Sequence, residues 1–210
     1  MTTSCTALSP DAFHLLRDAA EWQLVSMLLE YPQPGWIEQV STLAKEVACP
    51  SLKRAVDAAH QEALPGLYHS TFGPGGPAAP REVSHRRDVL PGASLAELRD
   101  LYQAFAYEPS LDEPPDHVAV EAGFVAYLRF KQAYAVARGD DEQALICANA
   151  INHVVAEHLG RIAGPLATSL ASSGVAYLSH AAGALRAAVA CLKSSTALPG
   201  MEAGPASESE

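Results

Sequence analysis

Two stretches of this 210-residue sequence concentrate side chains that could do chemistry. The first is residues 108–121, EPSLDEPPDHVAVE. From Asp100 to Leu128 there is no lysine or arginine, yet Asp100, Glu108, Asp112, Glu113, Asp116 and Glu121 all fall in that window. Carboxylates accept a guanidinium in bidentate fashion, so acids crowded around a proline hinge fit a docking place for arginine. They also fit a solvated loop that tolerates its own repulsion. His117, beside Asp116 at a helix start, feels two opposed influences. The helix macrodipole disfavours its imidazolium form and the neighbouring acids favour it.

The second stretch is HVVAEH at 153–158. On an α-helix, histidines five residues apart diverge by roughly 140°, so they are not expected to share a metal. GPGG at 73–76 is glycine-rich, but no strand precedes it and no lysine follows, so it reads as a flexible loop and not a phosphate cradle. The sequence has no GxSxG, no GxxxxGK[ST] and no HExxH. Cys5, Cys49, Cys147 and Cys191 are far apart and form no CxxC pair, which argues for reduced thiols over a disulfide framework or zinc ligands.

The elements that must carry these residues are helical. Phe13, Leu16, Ala20, Leu24, Met27 and Tyr31 recur at three- and four-residue steps and predict a helix over 11–31, with Ser9 as N-cap and Pro10 at the first position. A second helix is predicted at 36–48, closed by Pro50, and a third from a Ser51 cap to Ala63, broken by Pro65-Gly66. Residues 73–80 form a loop and 81–93 stay irregular. Ser94 starts a helix to Tyr107 with Leu95, Leu98, Tyr102 and Phe105 inward. After Pro109, Pro114 and Pro115, Asp116 is expected to cap a helix over 117–138 with Val120, Phe124, Tyr127 and Tyr134 on one face. Gly139 stops it. Asp140 with Gln143 resembles a capping box for a helix at 141–159. A shorter helix ends near Ala171, and the last runs 175–193 on a stripe of Val175, Leu178, Ala182, Leu185, Val189 and Leu192. No strand pattern appears.

The expected fold is therefore all-α, a bundle of about eight helices in two lobes. The N-terminal lobe is 1–108, the hinge 109–116, the C-terminal lobe 117–195, and 196–210 a disordered tail. Apolar residues make up 49 %, enough for a core, and the net charge of −10 argues against a nucleic-acid binder. No window reaches the length of a membrane span, and Met1 to Pro10 lacks the basic and apolar parts of an export signal. The internal Arg86-Arg87 pair has no apolar segment behind it.

Glu113-Pro114-Pro115-Asp116-His117, followed by a helix bearing Phe124, resembles the ExPDH signature of the TorD/DmsD/NarJ family. Tyr68 with Phe72-Gly73-Pro74 resembles that family's segment before its variable loop, and Leu101-Tyr102 the helix before its hinge. His158-Leu159 resembles its HLxxW segment, although Ile162 stands where the family has tryptophan. Tyr177 and Ala182 fall in the last helix. The similarity spans 11–193.

The resemblance implies a cytoplasmic helical chaperone and not an enzyme. It implies binding of the twin-arginine signal, or an equivalent N-terminal segment, of a redox enzyme of the dimethyl sulfoxide reductase type until the molybdenum cofactor is inserted. The residues expected to meet that segment are Tyr102, Glu113, Pro115, Asp116, His117, Glu121 and Phe124. No catalytic residue, metal or cofactor of its own is expected, and the chain could be a monomer or a domain-swapped dimer. Two alternatives stand beside this reading. One is a helical regulatory partner unrelated to molybdoenzymes. The other is a small helical enzyme using Asp116 and His117 as an acid–base pair, although adjacent residues seldom point at one substrate atom.

Overall fold

A computed structural model describes residues 8–86 and 90–196 and shows a helical bundle. The helices are α1 (Pro10–Leu28), α2 (Trp36–Leu43), α3 (Pro50–Glu62), α4 (Pro65–Phe72), α5 (Pro91–Ala104), α6 (Val118–Arg138), α7 (Asp141–Val154), α8 (Gly160–Ala171) and α9 (Ala176–Thr196). A π-helical turn, Val155–Leu159, joins α7 to α8, so these two form one rod and the bundle has eight rods among the described residues. No strand occurs among them, only one antiparallel bridge between Arg81 and His117. None of their helices is long and apolar enough to cross a membrane. The expected tail beyond Thr196, Cys5 and Arg87 lie outside the described residues.

Proline opens four of the helices at their first turn: Pro10, Pro50, Pro65 and Pro91. The first position needs no N–H donor and its φ suits the proline ring. Pro10 was expected in that role, with Ser9 Oγ accepting from the Ala12 amide at 3.2 Å. Pro50 and Pro65 were expected to stop helices and instead start them. α2 ends at Leu43, well short of 48, and α4 was not foreseen at all. Likewise Ser94 does not begin α5. It lies inside that helix, buried, three residues after Pro91.

α1 lies in the middle of the molecule, against α6 on one side and α2, α3 and α9 on others. This explains why its predicted stripe was mis-phased. Phe13 is 56 % exposed, whereas Trp22 and the run Leu24 to Leu29 are buried whichever way they point. The start of α6 is enclosed in the same way: Val118 to Ala126 are all buried, while Tyr134 further along is exposed. The predicted stripe of α9 is borne out, with Leu178, Ala182 and Leu185 fully buried.

The stretches on either side of 109–116 share one core, in which Trp22, Leu28, Trp36 and Leu98 join Phe124, Leu128, Ile151 and Tyr177. Polar ties cross between them. The Ser26 hydroxyl donates to Ala119 O at 2.7 Å, and Asp18 pairs with Arg129 at 2.7 Å. Two carboxylates cap helices from a distance. Glu21 accepts from the Ala48 and Cys49 amides before α3, and Glu62 from the Tyr177 amide in the first turn of α9. Acids are favourable at such amino ends. Gly139 ends α6 in the left-handed conformation, and Asp140 Oδ1 accepts from the Gln143 amide at 3.1 Å, as the sequence suggests.

Candidate functional site

The segment after the 73–80 loop was read as irregular, yet it is the frame of the site. Arg81 and Glu82 run antiparallel to the residues entering α6: the Glu82 amide donates to Asp116 O at 2.9 Å and the Val118 amide to Pro80 O at 2.8 Å. Asp116, wholly buried, was expected to cap α6 and to stand unpaired. Instead Arg81 grips its Oδ1 through Nε at 2.9 Å and Nη2 at 2.8 Å, and the Val83 amide donates to Oδ2 at 3.3 Å. The pairing was invisible to a scan of 100–128 because the cation comes from thirty-five residues upstream.

The cap of α6 is His117. Its Nδ1 accepts from the Ala119 amide at 3.2 Å. That leaves the proton of the neutral ring on Nε2, which faces the Tyr68 hydroxyl at 3.3 Å. Burial is the main reason that its pKa falls to about 4, only partly offset by Asp116. His117 is therefore neutral at physiological pH. The Asp116/His117 acid–base alternative thus meets a carboxylate already paired with Arg81 and an imidazole whose two nitrogens already have partners.

Glu82 repeats this pattern one residue on. Its wholly buried carboxylate accepts from Arg86 Nη1 at 2.7 Å, His158 Nδ1 at 2.9 Å and Ser94 Oγ at 3.3 Å. Burial alone raises its pKa, but the bonds from His158 and Arg86 outweigh it and hold the group below the ordinary carboxylate value. Glu121 is the contrast. It is fully buried with no hydrogen-bond partner for either oxygen, and burial, with Glu82 and Asp116 nearby, pushes its pKa well up. Tyr102 donates to Pro115 O at 2.8 Å and packs edge-on against Phe124, with ring centroids 4.7 Å apart, so both rings brace the hinge from inside. The carbonyl end of α5 is satisfied by Tyr127 and Lys131, which both donate to Phe105 O.

In front of this frame lies a cavity of about 960 Å³. It is lined by Tyr31, Tyr68, His69 and Phe72, the 73–80 loop, Arg81 and His117, and by the acids Glu30, Asp112 and Glu113. The loop is a built turn and not a slack one. The Gly76 amide donates to Gly73 O and the Ala78 amide to Thr71 O, and a β-carbon on Gly76 would strike the Thr71 carbonyl. Tyr68 is packed by Phe72 and Tyr31, with centroids at 4.9 and 5.5 Å. A second, mainly apolar groove of about 530 Å³ runs between α1 and α6, lined by Leu16, Ala20, Leu111, Ala126, Tyr127 and Phe130. Glu30, Ser110 and Leu111 line both.

Of the sequence-predicted residues, Glu113 and His117 line the main cavity. Tyr102, Asp116, Glu121 and Phe124 are buried and do not line it, and half-buried Pro115 lines, with Tyr102, a separate depression. Glu30, two residues past the end of α1, was missed. Burial raises its pKa to about 7. Glu113 is also raised, by burial and then Asp112, with Arg81 opposing.

A family model described as the nitrate reductase delta subunit matches residues 40–167, more than half of the chain. The chain belongs to the nitrate reductase delta subunit family. The TorD/DmsD/NarJ resemblance is thereby shown. No curated protein matches it in sequence. Among solved structures it is similar to one designated a redox enzyme maturation protein from Archaeoglobus fulgidus. The two are 17 % identical, the TM-score is 0.56, and the match covers 89 % of this chain and 98 % of that one. At that identity the likeness shows a shared fold.

In this delta-subunit family member, Ile162 at the family's tryptophan position is fully buried in the core and is not among the residues lining the cavity. The HVVAEH histidines depart from expectation. The 140° divergence presumed an α-helix, but the backbone is π-helical over Val155–Leu159. Its i→i+5 hydrogen bonding brings residues five apart onto one side. The His153 and His158 rings are 6.0 Å apart, and the ligand atoms of Glu97, His153 and His158 lie within 4.8 Å of one another.

Proposed function

We propose that this chain is a cytoplasmic maturation chaperone. It would bind the N-terminal, twin-arginine-type segment of a molybdoenzyme catalytic subunit of the dimethyl sulfoxide reductase type and hold it for cofactor insertion and assembly. The observation that carries the reading is the junction of the two cavities: Asp112 and Glu113 line the first, and Glu30, Ser110 and Leu111 line both it and the mainly apolar groove. An arginine pair followed by an apolar run has the complementary order. The guanidinium groups would meet the rim carboxylates, and the apolar run would lie along Leu16, Leu111 and Phe130. In this reading Pro115, Asp116, His117, Glu121, Phe124 and Tyr102 shape the rim and do not contact the peptide's charge.

Membership of the delta-subunit family and a fold shared with a protein designated a redox enzyme maturation protein support the assignment. It is tested by deleting the gene in its native host. A molybdoenzyme apoprotein lacking its cofactor should accumulate, and the tagged chaperone should recover that subunit only while its N-terminal segment is intact. Normal cofactor loading of every molybdoenzyme in the deletion strain would refute the proposal.

A further inference from the structure

We propose that Glu97 of α5, His153 of α7 and His158 of the π turn form a binding site for a zinc-type divalent cation. The starting observation is His158 Nε2. His158 is wholly buried, and this atom has no hydrogen-bond partner. Glu82 already accepts from Arg86 and Ser94, so it is also the acceptor for His158, and His158 Nδ1 carries the proton. Nε2 then presents a lone pair. Glu97 Oε1 lies 3.7 Å from it, too far for a hydrogen bond even from an imidazolium. The same oxygen is 2.9 Å from His153 Nε2. Two imidazole nitrogens and a carboxylate oxygen thus lie within 4.8 Å of one another.

Their spacing suits a metal. Ligands at about 2.0–2.1 Å from a tetrahedral zinc stand roughly 3.3 Å apart. The 2.9 and 3.7 Å separations from Glu97 lie on either side of that value, and all three ligand atoms fall within 4.8 Å of one another, a spread that small side-chain rotations close around an ion. Two histidines and one carboxylate are a donor set that zinc accepts, with a fourth position left for water or another ligand. That position would be reached from solvent, since Glu97 and His153 are 46 and 45 % exposed. Glu82 supplies the partner expected behind a metal-bound histidine. A carboxylate on the far nitrogen fixes the tautomer and raises the basicity of the ligand. The π turn is what makes the set possible, and π turns often mark functional positions.

A bound ion would tie α5 to the α7–α8 rod. Through Glu82, whose amide donates to Asp116 O, it would also stiffen the frame behind the cavity.

The test uses the full chain, stripped with a chelator, and zinc(II) titrated in competition with a chromophoric chelator. One zinc per chain is expected. His153→Ala and Glu97→Ala should each weaken binding at least about tenfold. Both residues are half-exposed, so both variants should melt like the wild type in chelator, and zinc should raise the melting temperature of the wild type alone. X-ray absorption should show nitrogen and oxygen ligands, with imidazole scattering and no sulfur. Absence of stoichiometric zinc, equal affinity in both variants, or a sulfur ligand would overturn the proposal.

Discussion

The acidic residues of this molecule fall into two populations that the sequence does not distinguish. Asp116 and Glu82 are wholly buried, and each is saturated by cations and donors of the same chain. Glu30, Asp112 and Glu113 line the cavity, and none of them forms an ion pair within 4 Å among the described residues, although Arg81 is close enough to act on Glu113. The first group builds the frame. The second is left with acceptor capacity for something outside the chain. Much of the signature that marks the family, Pro115-Asp116-His117, belongs to the frame. A recognisable motif is thus not the same thing as the surface proposed to bind.

The largest expected effect falls on the frame. His117 has a folded pKa near 4, below the unfolded value of 6.5. The native state therefore binds fewer protons than the unfolded chain between those limits. The stability this confers is present above pH 6.5 and is lost as pH falls towards 4, by roughly 3 kcal/mol. His117→Asn keeps a good N-cap and removes the titration. Urea unfolding from pH 7 to 4 should show a steep decline in the wild type and a shallower one in the variant.

Glu121 titrates with the opposite sign. Its raised pKa means a contribution that is complete below about pH 4.5 and is lost as pH rises through the folded value. Glu121→Gln should therefore gain on the wild type as pH is raised from 5 to 9 in the same assay. A constant difference between the two across that range would mean that the carboxylate is ionised in the fold.

Next comes Asp116→Ala, which strands the Val83 amide and deprives Arg81 of its partner. Breaking a buried pair costs several kcal/mol, but Arg81 is 38 % exposed and can be rehydrated, so about 2–3 kcal/mol is expected. For a chain of this size that lowers the melting temperature by roughly 5–10 °C. An unchanged melting temperature would place Asp116 with the rim and erase the distinction.

The smallest effect on stability is expected at the rim itself. Glu30→Gln, Asp112→Asn and Glu113→Gln should melt within about 0.5 kcal/mol of the wild type, yet each should weaken an arginine-bearing peptide. Glu30 adds a pH signature. With a pKa of about 7 in the free protein, it must lose a proton to pair with a guanidinium, so affinity should rise from pH 6 to 8. Glu30→Gln should flatten that rise.

How far these regions were legible follows from the range of the interactions. Most of the helices, α4 excepted, are readable from local periodicity, and so are local caps such as Ser9 and Asp140. Proline was ambiguous: at Pro50 and Pro65 the same residue that ends one helix opens another, and only the packing decides. The frame could not be read, because Arg81 meets Asp116 and Glu82 meets His158 across 35 and 76 residues. The convergence of His153 and His158 was hidden for a different reason. It depends on a π turn, and the spacing argument presumed regular α geometry. The hinge acids were legible as a cluster. Which of them remain unpaired was not.

The most direct measurement of the central claim is calorimetry of a twin-arginine signal peptide against the wild type and against Asp112→Asn/Glu113→Gln, each at about 50 mM and about 500 mM salt. Half-exposed charge pairs are screened at the higher concentration. The account predicts that wild-type affinity falls at least about tenfold on going from low to high salt, a loss of about 1.4 kcal/mol. The double variant should start weak and barely respond to salt. Equal affinity in both proteins at both salt concentrations would contradict it: the apolar part of the signal would then dominate, and the acidic rim would be a solvated loop.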